Sequence, residues 1–238
     1  MNEKNFEDNV YMKLMNKGYY VLMTNLLLAG MLIPLIVAVN LLAIDWRNLF
    51  WFLLASVPFG IGVITCFATV EGFIESGSQT PIKDFIQAMR LFLKQGLTYW
   101  LSTSFILGII GVDMLFLMKQ PKFFYFSGVF VILAGLVLAL FIHCCYFQIR
   151  NPEHGKKDVL RISAFYIVKK WYVSIINVLL FLLMAAAVIM KPSIGLLVLP
   201  YLFIILIYLN CRKLHNCEKI SSKGKRKKNA NNGNSLYS

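Results

Sequence analysis

The chain has 238 residues, 58% of them hydrophobic and only 15% charged, with a mean hydropathy of +0.67 and a formal net charge of +13. Soluble domains carry about 25% charged residues, so this composition excludes that class and makes a bilayer the organising solvent. Nor does the positive charge suit a nucleic-acid binder, because 20 of the 24 Lys and Arg fall in alternate gaps between long apolar runs.

Residues 1–19 form an N-terminal segment in which Val10, Tyr11, Leu14 and Met15, with Lys13 and Lys17, suggest a short amphipathic helix. Glu3, Glu7 and Asp8 precede the first apolar run, residues 20–44, which is longer than the apolar core of a secretion signal and is expected to stay as a span. Five more runs follow, at residues 49–72, 98–118, 123–149, 172–190 and 193–210. Each can cross a hydrocarbon core of roughly 30 Å. Lipid offers a free peptide group no partner, so each is expected to be helical. The expected fold is therefore all-α, a polytopic bundle of six transmembrane helices over residues 20–210.

Two gaps hold amphipathic segments that read as interfacial helices. Over about residues 80–96, Thr80 can cap, Pro81 suits the first helical position and Gly96 can end the helix. Ile82, Phe85, Ile86, Met89, Phe92 and Leu93 form its apolar stripe, with Lys83, Asp84, Gln87, Arg90 and Lys94 elsewhere. The counterpart at about residues 156–170 is basic and less cleanly striped. Such helices are expected to lie on the inner membrane surface. The basic gaps predict that both termini and these helices are cytoplasmic, with Arg47, Lys119, Lys122 and Lys191 outside. None of the five cysteines is expected to be bridged: Cys66, Cys144 and Cys145 lie within spans, while Cys211 and Cys217 would face a reducing cytoplasm.

Asp8, Asp84 and Asp158 each open a segment that ends, after a Lys, in an aromatic pair: Tyr19-Tyr20, Tyr99-Trp100 and Trp171-Tyr172. The spacing is compatible with a threefold pseudo-repeat about an axis along the membrane normal. Interfacial anchoring explains the aromatics equally well without duplication.

Four features carry a family resemblance: Thr24-Asn25-Leu26-Leu27 opening the first span, Pro58-Phe59-Gly60-Ile61-Gly62 running on to Ala68, Asp84-Phe85 in the surface segment, and Asp113 late in the third span. Over about residues 17–210 the chain resembles the YesL-like family of bacterial integral membrane proteins, whose function is uncharacterised. Members often occur beside carbohydrate uptake systems. The resemblance implies a bacterial cytoplasmic membrane protein with sugar-transporter permease subunits as partners.

Asp113, His143 and Glu71 are the candidate intramembrane polar site, because ionisable groups within spans are costly unless paired, protonated or near water. Asp113 and His143 fall in opposite leaflets, so the better partner for His143 is Glu71, with Glu75 one turn further on the same face. A His–Glu relay and a helix-packing hydrogen bond are both open readings. Cys211, His215 and Cys217 lack a fourth ligand for tetrahedral zinc, and no cofactor is expected. Pro34, Pro58 and Pro200 read as kinks or as the breaks found at transporter binding sites.

Residues 211–238 form a basic tail of disordered composition, in which Lys225, Arg226, Lys227 and Lys228 are suited to anionic lipid. No aromatics interleave that run, which argues against nucleic acid. Catalytic signatures such as Gly-x-Ser-x-Gly or His-Glu-x-x-His do not occur, so no enzymatic activity is expected. The leading expectation is an accessory or regulatory membrane protein associated with carbohydrate uptake; the rival is a small self-contained solute transporter.

Overall fold

A computed structural model describes residues 10–43, 45–77, 80–118, 127–190, 195 and 199–213. Among the described residues the ordered elements are helical: α1 (Val10–Leu41), a 3-10 turn (Trp46–Asn48), α2 (Leu49–Ser76), α3 (Pro81–Met118), α4 (Ser127–Arg150), α5 (Lys156–Lys169), α6 (Trp171–Met190) and α7, residues 199–213. Five of them, α1 to α4 and α6, are long and apolar enough to cross a membrane. The chain is thus an all-helical, multi-pass membrane protein. The sixth expected span includes residues outside the described set, and α7 is its described part.

The first correction concerns the surface helix expected at residues 80–96. It is not separate from the third span but forms one 38-residue helix with it. At 1.5 Å per residue α3 is about 57 Å long, nearly twice what the hydrocarbon requires. Gly96 does not end it. A Cβ at Gly96 would lie 2.6 Å from Ile64 Cγ2 and 3.3 Å from Ile61 Cα, so this glycine exists for close approach to α2, not for a cap. The N-terminal amphipathic segment is likewise continuous with the first span in α1. Only α5 is a distinct helix, closed where the Lys170 N–H donates to the Tyr166 carbonyl.

Helices α1 and α2 run through Pro34 and Pro58 without ending. Gly77, at φ 63°, caps α2 in the left-handed region that a side chain would oppose. At Gly60 the Trp100 ring fills the place of a Cβ, which would sit 2.0 Å from Trp100 Cγ. Trp100 packs edge-on against Phe59 and Phe141 and donates its indole N–H to Ser56 Oγ at 3.0 Å. Glycine at two crossing points thus lets α2 and α3 meet backbone to side chain.

The core is centred on the second half of α4, where Phe141 to Ile149 are all buried, wrapped by α2, α3, α5, α6 and α7. Tyr20, Phe67, Tyr146, Tyr201 and Tyr208 are among its fully buried side chains. The aromatic pairs follow no single anchoring rule: Tyr19 is exposed and Tyr20 buried, Tyr99 and Trp100 are both buried, and Trp171 and Tyr172 are both exposed. Buried Tyr99 donates to Gln148 of α4, a pairing that interfacial anchoring does not anticipate.

Candidate functional site

A charged polar cluster lies where the C-terminal parts of α2, α4 and α7 meet. Glu71 and Glu75, four residues apart, present both carboxylates on one face of α2, as expected from helical spacing. Arg150, the last residue of α4, sits opposite them. Its Nη1 donates to Glu75 Oε1 at 2.8 Å and its Nη2 to the Tyr208 hydroxyl at 3.1 Å. Its Nε lies 3.1 Å from Glu71 Oε1, an ion-pair contact without hydrogen-bond alignment. The Tyr208 O–H donates in turn to Glu71 Oε2, closing the ring. The Arg150 and Glu71 side chains are each 16% exposed and that of Glu75 51%, so one carboxylate is enclosed and the other meets solvent. A planar guanidinium is suited to this arrangement because its fork can engage several acceptors at once.

This overturns the expected His143–Glu71 pairing. His143 is fully buried on α4, and its Nε2 shares a 3.0 Å hydrogen bond with Ser174 Oγ of α6. Its Nδ1 has no partner among the described residues. Glu71 is taken by Arg150 and Tyr208. Asp113 joins neither group: it is exposed and makes no ion pair or hydrogen bond among the described residues. Gly108 packs beside Leu49, the first residue of α2, so Asp113 lies about 7.5 Å beyond that level at 1.5 Å per residue. The three candidates therefore occupy three separate environments.

Two further polar chains link helices. Asn25 of α1, fully buried, accepts the Tyr201 N–H at 2.9 Å. A buried peptide N–H without an acceptor is costly, and for Tyr201 an acceptor comes from another helix, through Asn25. On α6, Asn177 donates to Cys211 Sγ at 3.1 Å and accepts from Asn210 at 2.8 Å. Asn210 also reaches the Val173 carbonyl. Cys66, Cys144, Cys145 and Cys211 are buried free thiols. The remaining candidates, Cys217, His215 and the Lys225 to Lys228 run, lie outside the described residues.

Arg150, Tyr208, Asn177 and Asn210 escaped the sequence reading. A signal existed for Arg150, since two carboxylates spaced i, i+4 at the end of an apolar span call for a cation at the same depth. The amides within the fifth and sixth apolar runs were similarly legible as interhelical donors. Chemically, each cluster ties helix to helix with its donors and acceptors largely satisfied by protein groups. Compared with protein-family models, with curated proteins and with solved structures, the chain gives no match.

Proposed function

We propose that the protein is an accessory or regulatory subunit associated with carbohydrate uptake in a bacterial cytoplasmic membrane. It has six spans, both termini inside, and no catalytic activity of its own. The resemblance to YesL-like proteins supplies the association with sugar permeases. The observation that carries the accessory reading is a groove of about 320 Å³ between α4, the end of α5 and α6, lined by Ile132, Gly135, Leu136, Trp171, Ile175 and Leu179 among others. A Cβ added at Gly135 would meet nothing within 4 Å. Gly135, half-buried on α4, leaves room for the close approach of a further transmembrane helix.

The rival reading, a self-contained transporter, needs polar groups converging on a path. Here Glu71 is engaged by Arg150 and Tyr208, His143 by Ser174, and Asp113 stands apart, which favours the subunit reading.

Cross-linking in the native membrane, mild solubilisation and mass spectrometry test the proposal. Near-stoichiometric recovery of permease subunits is expected, and Gly135→Leu should reduce it at least tenfold while leaving elution of the purified chain unchanged. Recovery of the chain alone, or indifference to Gly135→Leu, would favour the transporter. Orientation is tested separately: a cysteine replacing Glu153 should resist an impermeant maleimide in intact cells, and one replacing Asp45 should react.

A further inference from the structure

The N-terminal part of α3 carries more than the accessory reading uses. Gly108 beside Leu49, Trp100 over Gly60 and Gly96 on Ile64 set an antiparallel register that brings residues 82–91 of α3 level with the last turns of α2, the end of the bundle that carries Glu71 and Glu75. Two stripes run side by side on this segment. Lys83, Gln87 and Arg90 follow the i, i+4, i+7 spacing of one helix face, and Ile82 and Ile86 form the neighbouring stripe with Leu91 beyond them. All six line a single groove of about 890 Å³. The three apolar side chains are 39% to 64% exposed, and both cations are exposed and unpaired with any carboxylate among the described residues. The acid of this segment, Asp84, is held by hydroxyl donors, Tyr20 at 3.2 Å and Thr80 at 3.1 Å.

We infer that this groove binds one anionic phospholipid, its phosphate on Lys83 and Arg90 and its acyl chain along Ile82, Ile86 and Leu91. A free anion would use the cations and leave the apolar wall idle; a neutral lipid would do the reverse. An anionic phospholipid satisfies both stripes, and the membrane presents it where a spanning helix leaves the hydrocarbon. The site is distinct from the basic tail and independent of whether a permease partner exists.

The test is native mass spectrometry of the purified full chain with equimolar phosphatidylglycerol and phosphatidylcholine. Wild type should retain phosphatidylglycerol preferentially. Two basic residues near an anionic lipid correspond to a combined affinity change of roughly thirtyfold, so Lys83→Gln/Arg90→Gln should weaken retention at least tenfold. Ile86→Asp, also at an exposed position, should do the same by setting a carboxylate in the groove. Neutralising Lys225, Arg226, Lys227 and Lys228 together should leave the preference in place. Equal retention of the two lipids by wild type, unchanged retention in both groove variants, loss on neutralising the tail alone, or ready displacement by inorganic phosphate would each overturn the inference.

Discussion

Removing Arg150 should loosen the joint between α2, α4 and α7 by an amount that can be worked from its contacts. Arg150→Met keeps the alkyl volume but deletes the guanidinium, leaving Glu71 with Tyr208 as its remaining partner at 16% side-chain exposure. Breaking a fully buried ion pair from one side costs about 3–5 kcal/mol, and the partial access of water here lowers the expectation to about 2–3 kcal/mol. Glu71→Gln retains the side-chain shape and an acceptor for the Tyr208 hydroxyl, so about 1–2 kcal/mol is expected. Glu75→Gln, at a carboxylate 51% exposed, should cost less than about 0.5 kcal/mol. In the Arg150→Met/Glu71→Gln double variant neither charge is stranded, and the loss should fall short of the sum by about 1–2 kcal/mol. Reversible unfolding in mixed micelles, followed by tryptophan fluorescence, measures all four. Additive single losses would refute the argument, as would an Arg150→Met effect no larger than that of Glu75→Gln.

The glycines offer a paired contrast: Gly60→Ala forces Trp100 aside and should destabilise by about 1–3 kcal/mol, whereas Gly30→Ala, where a Cβ meets nothing within 4 Å, should stabilise α1 by about 0.5–1 kcal/mol. The same unfolding assay reads both, and equal effects would mean that the α2–α3 contact is looser than described. Asn25→Leu strands the buried Tyr201 N–H and should cost about 1–3 kcal/mol, seen as a lower apparent Tm in detergent; an unchanged Tm would show that this donor has another acceptor. Asp113→Asn should change stability by less than about 0.5 kcal/mol and leave expression intact, and a severe loss of folded protein would point to a partner that the exposed carboxylate does not show.

Periodicity told the truth about Glu71 and Glu75 because two residues four apart on a helix must share a face whatever surrounds it. It could not say that Arg150, rather than His143, would stand opposite, since which helices are neighbours is a property of packing and not of any one helix. Gly96 shows the same limit from the other side. A glycine after an amphipathic stretch reads as a helix end, yet here the penalty of about 1 kcal/mol for glycine inside a helix is set against close packing on Ile61 and Ile64. Tyr99 and Trp100 read as interfacial anchors for want of any local cue to Gln148 and Ser56, which lie far away in the chain.

Composition, run length and charge distribution determined by themselves that this is a multi-pass helical membrane protein, because bilayer thickness and unsatisfied peptide groups act on any sufficiently long apolar segment. Only the tertiary structure decided that α3 is one continuous helix and that Arg150 gathers two carboxylates and a tyrosine. It also separated Asp113, His143 and Glu71 into three environments. Hydrophobicity drives a segment into lipid but does not choose its neighbour there. That choice falls to small-residue packing and interhelical hydrogen bonds, which exist only once the helices have met.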